Sequence, residues 1–175
     1  MFCKINCLIF CFPLVKINFL AIDFDQTMID IHTGGRWTGT LEELVTHVRP
    51  YFPAFLKSAL REDISVAIVT FSPQVDFIRA LLEQILGREV SHKIPIRAGG
   101  QFLYQGVGIR EGKQAHMASA VEELEGHGVE ITKQTTLLID DDIKNIRTAL
   151  QDGVRAIWLN PRLSHVLLED ITKLV

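Results

Sequence analysis

Two carboxylates end an apolar stretch near the start of the chain, in the segment LAIDFDQTMID at 20–30. Asp23 and Asp25 stand two residues apart, and Thr27 follows at the same spacing. Like charges at the end of a buried strand repel each other, and an unpaired charge in apolar surroundings is costly or shifts its pKa. We therefore expect a positive group to lie beside this pair.

A second acidic cluster, Asp140–Asp142, ends the apolar run in LLIDDDIKNI. Ligand sites of parallel α/β sheets form at the carboxyl ends of the strands, so the two acidic clusters would share one cleft. Several carboxylates in one cleft need a counter-charge, and a hard divalent cation with oxygen ligands supplies it. The sequence thus predicts a metal site, with Mg²⁺ as the expected ion and Lys113 as an additional positive charge.

Such a cleft has the groups needed for chemistry on a phosphorylated ligand. One carboxylate of the first pair can attack phosphorus, and the other can protonate the leaving oxygen and later activate water. Thr70 and Ser72 follow another apolar run, ISVAIVT, and together with Lys113 they would hold the phosphoryl oxygens.

The elements that position these residues can be read from hydrophobic periodicity. Apolar runs predict strands at 17–22, 64–70, 94–96, 135–140 and 154–159, and helical patterns occupy 41–60, 72–86, 112–124, 143–150 and 163–174. Pro50 and Pro53 should kink or split the first helix, and Thr40 with Glu43 forms a capping-box pattern at its start. Alternating strands and helices favour an α/β three-layer sandwich with a Rossmann-like, mostly parallel sheet.

The order of these motifs resembles the haloacid dehalogenase (HAD) superfamily of phosphohydrolases. The segment DFDQT resembles its first motif, VAIVT the second, Lys113 the third and LLIDD the fourth, over about residues 17–159. The resemblance implies a HAD-like fold, and the short intervals between motifs imply that no large cap domain is present. It further implies that Asp23 is the nucleophile and a metal ligand, and that Asp25 is the general acid/base.

The resemblance also assigns roles to the remaining motif residues. Thr70 and Lys113 would bind the phosphoryl group, and Asp25 would offer the metal its backbone carbonyl. Asp141 would be the second carboxylate ligand, with Asp140 as a neighbour in the same motif that could act through water. The register of this motif stays open by one residue because Asp142 follows, and Asp142 is equally suited to be the N-cap of the next helix.

Length, charge and composition narrow the class of protein. The 175 residues predict one domain at 16–175, preceded by an apolar extension at 1–15 that carries Cys3, Cys7 and Cys11. A net charge of −3 gives no reason to expect nucleic-acid binding, and the apolar extension is too interrupted for a stable membrane span. A cytoplasmic protein is expected, while the apolar extension leaves weak membrane or organelle targeting open, and an oligomer is compatible with the sequence.

The leading interpretation is a Mg²⁺-dependent phosphatase that forms an aspartyl-phosphate on Asp23, with a phosphorylated small molecule or phosphoprotein as substrate. Two alternatives stay open: a binding module that holds a phosphorylated ligand without turnover, and a phosphotransferase. The glycine-rich segment HTGGRW at 32–37 follows the first motif, and its Arg36 and Trp37 either grip a substrate or simply pack.

Overall fold

A five-stranded parallel sheet forms the centre of the protein, in a computed structural model that describes residues 16–99, 112–125, 128, 130–163 and 167–172. The strands are β1 (Phe19–Ile22), β2 (Ser65–Thr70), β3 (Ile96–Ala98), β4 (Thr136–Asp140) and β5 (Arg155–Trp158). Their order is β3-β2-β1-β4-β5, and every pairing is parallel. This order places β1 at the centre, so its carboxyl end lies between those of β2 and β4.

Helices cover both faces of the sheet. They are α1 (Leu41–Thr46), α2 (Phe52–Arg61), α3 (Val75–Leu86), α4 (Arg88–Ser91), α5 (Gln114–Glu125), α6 (Ile143–Gln151) and α7 (Leu167–Thr172). Leu20 and Ile22 of β1 belong to the core beneath α1, α2, α3 and α7, while Phe19 and Ala21 belong to the core beneath α5 and α6. Because adjacent strand residues point to opposite faces, a fully apolar strand is what two covered faces require. The predicted three-layer α/β sandwich is confirmed.

Several boundaries differ from the sequence prediction for identifiable reasons. The first predicted helix is divided into α1 and α2, as the two prolines indicated. The third helix begins at Val75 and has Gln74 as its N-cap residue, so the prediction that it starts at Ser72 was wrong. The third strand occupies Ile96–Ala98 and not 94–96, because Pro95 has no N–H for the ladder and contributes its carbonyl to Ile68 N.

One predicted feature lies outside the described residues, the apolar extension at 1–15. The division of the chain at residue 15 therefore stays a prediction. Between β1 and β2 the described residues contain a loop, α1 and α2, and no large cap domain. No described helix is both long and apolar enough to cross a lipid bilayer.

Candidate active site

The first acidic motif occupies a tight irregular turn at the carboxyl end of β1. Asp23 directly follows the strand, and the turn Phe24–Met28 departs from helical geometry at Asp25 and at Gln26, whose φ is 57°. Buried Arg49 stabilises this turn, because its guanidinium donates to the carbonyl oxygens of Thr27 at 2.9 Å and Gln26 at 2.8 Å. The turn thus fixes the positions of both carboxylates relative to the sheet.

Lys113 supplies the positive charge that the first motif required. Its Nζ donates to an Asp23 carboxylate oxygen at 2.6 Å and to the Val69 carbonyl at 3.1 Å, and the side chain is only 1% exposed. The ammonium also lies 4.0 Å from the ring centroid of Phe71, which places an aromatic face against it. Lys113 is therefore held in one position beside Asp23.

The three carboxylates of the second acidic cluster have different hydrogen-bond partners. Asp142 is the N-cap of α6, and its side chain accepts from Lys144 N at 2.8 Å. Asp140 is fully buried, and Asn145 Nδ2 lies 3.0 Å from each of its carboxylate oxygens. Asp141 Oδ1 accepts from the Thr27 hydroxyl at 3.2 Å, which connects this cluster to the first motif. The structure thus places Asp142 in the capping position that the sequence had left open.

Asp23, Asp140 and Asp141 form a compact carboxylate group in which one oxygen from each lies within 4.8 Å of the others. Burial, together with the nearby Asp23 charge, raises the pKa of Asp140 to about 8 and that of Asp141 to about 6. Burial also raises the pKa of Asp23, and the Lys113 ammonium acts in the opposite direction. Three acidic groups that resist simultaneous ionisation are the donor set that a divalent cation would stabilise.

Thr70 and Ser72 lie next to this carboxylate group at the end of β2. Both are buried, and the Thr70 hydroxyl accepts from Ser72 N at 3.1 Å. Because β2 pairs directly with β1, these hydroxyl groups lie on one side of Asp23, and the second acidic cluster lies on the other.

Asp25 is held by a residue that the sequence analysis did not single out. The Thr33 hydroxyl donates to Asp25, with its oxygen 2.9 and 3.0 Å from the two carboxylate oxygens, and Thr33 N donates at 3.3 Å. Asp25 lines the same cleft as Asp23. The only available signal was that Thr33 belongs to a polar, glycine-containing loop directly after the motif.

The loop after the first motif faces the cleft through residues other than those proposed from the sequence. Trp37 packs against the hydrophobic core, and its indole N–H donates to the Thr40 carbonyl at 2.9 Å, so the structure favours packing over a substrate grip. Arg36 is exposed, and the loop residues that line the cleft are His32, Gly34 and Gly35.

Together these groups surround one open cleft of about 610 Å³. Every predicted site residue except Arg36 and Trp37 lines this cleft: Asp23, Asp25, Thr70, Ser72, Lys113, Asp140 and Asp141. Phe71, Ile143 and Asn145 also line it. The sequence-distant motifs therefore converge at the carboxyl edge of the sheet, as the general rule for open α/β sheets leads one to expect.

Comparison with known proteins gives similarity at the level of the fold. The chain matches no protein-family model and no curated protein. Among solved structures, it is similar to an uncharacterized protein from Corynebacterium glutamicum, with 18% identity, a TM-score of 0.51, and coverage of 87% of this chain and 94% of that one. It is also similar to a HAD-superfamily hydrolase from Ehrlichia chaffeensis, with 14% identity, a TM-score of 0.50, and coverage of 90% and 97%.

A third similar structure is the HAD domain of the effector protein Lem4 from Legionella pneumophila, with 18% identity and a TM-score of 0.52 over 90% of this chain and 93% of that one. Coverage on both sides is high, so the likeness extends over most of each chain. The protein thus has the HAD-like fold that its motifs predicted.

Proposed function

We propose that the protein is a Mg²⁺-dependent phosphomonoester hydrolase that acts through a phosphorylated Asp23. The observation that carries the proposal is the convergence of Asp23, its 2.6 Å partner Lys113, and the Asp140–Asp141 pair at one sheet edge, with Asp25 in the same cleft. The HAD-like fold supports the assignment, since two of the similar structures carry that superfamily name.

The carboxylates of Asp23, Asp140 and Asp141 would hold the cation. They fit this role because their oxygens are close enough for one ion to bridge, and because burial disfavours their ionised forms when no cation neutralises them. Oxygen donors of this kind suit Mg²⁺, a hard cation that prefers carboxylate, carbonyl and water oxygens. When bound, the cation would stabilise negative charge on the phosphoryl oxygens and orient the phosphate toward the nucleophile.

In the first half-reaction, an Asp23 carboxylate oxygen attacks phosphorus while the bond to the leaving oxygen breaks. Asp25 gives its proton to the leaving oxygen, which departs as an alcohol. Lys113 and the Thr70 and Ser72 groups hold the equatorial oxygens, as preorganised donors do where charge develops.

In the second half-reaction, water attacks the phosphorus of the aspartyl-phosphate and the Asp23–phosphate bond breaks. Asp25, now a carboxylate, accepts the proton from that water, so both carboxyl groups return to their starting state and inorganic phosphate leaves. A module that only bound phosphate would need no acid/base at position 25, and this argues for turnover over binding alone. The open cleft is compatible with a phosphorylated small molecule or a phosphoprotein.

The test is hydrolysis of p-nitrophenyl phosphate by the purified protein, with Mg²⁺ and with chelator, beside the Asp23→Asn and Asp25→Asn variants. We expect metal-dependent turnover that both variants lose, with their folded state checked by circular dichroism. The same assay with added alcohols separates a hydrolase from a phosphotransferase. A hydrolase releases inorganic phosphate, whereas a phosphotransferase forms an alkyl phosphate.

Two results would contradict the proposal. Equal turnover in Asp23→Asn would show that Asp23 is not the nucleophile. A folded protein that binds Mg²⁺ and phosphate analogues but turns over no member of a phosphomonoester panel would favour the binding module.

A further inference from the structure

A chain of hydrogen bonds joins the loop after β2 to the acidic residue of the first motif. Gln74 Nε2 donates to the Thr33 hydroxyl at 3.0 Å and to the Ser72 hydroxyl at 3.0 Å. The Thr33 hydroxyl in turn contacts both carboxylate oxygens of Asp25, at 2.9 and 3.0 Å. These hydrogen bonds therefore connect two loops that are about 40 residues apart in sequence.

The direction of every hydrogen bond in this chain follows from chemistry. The amide N–H of Trp37 faces Gln74, and a backbone N–H can only donate, so the atom it meets must be the side-chain oxygen of Gln74. The Gln74 nitrogen then faces the Thr33 hydroxyl and donates to it. A hydroxyl carries one proton, so the Thr33 proton is left to point at Asp25.

His32 is excluded as the donor that holds Asp25. Its Nδ1 lies 3.7 Å from the carboxylate, which is beyond hydrogen-bond distance, and it accepts from Gly34 N at 2.9 Å. An Nδ1 that accepts carries no proton to give. The Thr33 hydroxyl is therefore the side-chain donor to Asp25 among the described residues.

We propose that Thr33 is a positioning residue for the acid/base, and that Gln74 fixes the direction of the Thr33 hydroxyl. The proposal rests on the proposed function, because it concerns the efficiency of proton transfer from Asp25. With its carboxyl held by the Thr33 hydroxyl and the Thr33 N–H, Asp25 presents one orientation to the leaving oxygen. Neither Thr33 nor Gln74 needs to contact the substrate.

The rate with a good leaving group depends little on the general acid, because such a group departs readily without a proton. The rate with a poor leaving group depends strongly on protonation by the general acid. In the first half-reaction the bond to the leaving oxygen breaks as the Asp25 proton moves to that oxygen, and kcat/KM reports this step without the later hydrolysis of the aspartyl-phosphate. A positioning defect at Asp25 should therefore lower kcat/KM for an alkyl phosphate more than for dinitrophenyl phosphate.

The experiment compares Thr33→Val with Thr33→Ser on glycerol phosphate and on dinitrophenyl phosphate. Valine keeps the shape of threonine and removes the donor, while serine keeps the donor. General acids contribute about 100-fold or more to rate, and we expect Thr33→Val to lose about 10-fold on the alkyl ester and less than about 3-fold on the aryl ester. Thr33→Ser should restore the wild-type ratio. The ratio of the two substrates is independent of the fraction of folded enzyme.

A second variant tests the role of Gln74. In Gln74→Glu both carboxylate oxygens accept, so the Trp37 N–H keeps its partner while the Thr33 hydroxyl turns to donate to Glu and away from Asp25. We expect the same selective loss on the alkyl ester. Adding Thr33→Val to Gln74→Glu should cause little further change in the ratio of the two substrates, because both changes remove the hydrogen bond from the Thr33 hydroxyl to Asp25.

Failure of the inference differs from failure of the proposed function. If the wild-type protein turns over phosphomonoesters and Thr33→Val leaves the ratio of the two substrates unchanged, the inference alone is overturned. It is also overturned if the effects of Thr33→Val and Gln74→Glu on that ratio add in the double variant. A wild-type protein without metal-dependent turnover, or one unaffected by Asp23→Asn, would overturn both.

Discussion

Competition between protons and metal at the carboxylate group gives the sharpest prediction. The raised pKa values of Asp140, about 8, and Asp141, about 6, mean that the metal-free site holds protons near neutral pH. The unfolded chain has released these protons well below that pH, at ordinary aspartate pKa values. Folding without metal therefore binds protons, and the stability of the metal-free protein should fall as pH rises from about 4 to about 8.

Metal binding has the opposite pH dependence and offsets this fall, because a carboxylate must lose its proton before it can be a ligand. Near pH 6, Asp141 is about half ionised and Asp140 about 1% ionised, whereas near pH 8 Asp140 reaches about half ionisation. If both must ionise, Mg²⁺ should bind about 100-fold more tightly near pH 8 than near pH 6, or about 3 kcal/mol. If only Asp141 must ionise, the gain is about twofold.

Isothermal titration with Mg²⁺ at several pH values, in two buffers of different ionisation enthalpy, measures both the affinity and the protons released. Asp140→Asn removes one titrating group and should flatten the dependence, while Asp142→Asn is the matched control from the same cluster and should leave it unchanged. Thermal unfolding with and without Mg²⁺ should show a metal-induced stabilisation that grows with pH. An affinity that is independent of pH, with no proton release, would refute the reasoning.

Three further predictions follow from individual contacts. Arg49→Met should lower the free energy of unfolding by about 2–4 kcal/mol in urea denaturation, because it leaves two carbonyls of the Phe24–Met28 turn without their buried donor, and a wild-type midpoint would contradict this. Asp142→Ala should cost about 1 kcal/mol of stability through loss of the α6 N-cap, with Mg²⁺ affinity unchanged in titration; a loss of affinity would make Asp142 a ligand. Lys113→Met should reduce kcat/KM by about 100-fold or more in the p-nitrophenyl phosphate assay, since it removes the cation beside Asp23, and Lys113→Arg should not restore it because a planar guanidinium does not reproduce the compact ammonium that contacts both Asp23 and the Val69 carbonyl.

The sheet and the placement of the acidic residues could be predicted because both follow from short-range sequence patterns. Apolar runs that end in polar residues identify β1, β2 and β4, and the rule that parallel strands share one carboxyl edge then brings Asp23 and Asp140 together. The capping-box pattern at Thr40 and Glu43 also predicted a local contact, and the structure contains both of its hydrogen bonds.

The supporting residues could not be predicted because their partners lie far away in sequence. Arg49 contacts the turn 22 and 23 residues before it, and Gln74 meets Thr33 across 41 residues, in loops without periodicity. Nothing in the local pattern distinguishes either residue from a solvated polar side chain. Trp37 was ambiguous for the opposite reason, since an aromatic residue in a glycine-rich loop is equally consistent with substrate contact and with packing.

The carboxylate group depends on the residues that hold each of its members in place. The cleft collects five aspartates and, among the described residues that line it, a single lysine, so mutual repulsion opposes the folded state. Such an arrangement persists only where the surrounding structure determines each position independently. Arg49 holds the backbone that carries Asp23 and Asp25, and Asn145 holds the Asp140 carboxylate. The Asp142 side chain caps α6 and is therefore not part of the carboxylate group. A rigid group of acids needs no rearrangement to receive a cation, so once the protons have left, the repulsion among its carboxylates favours metal binding.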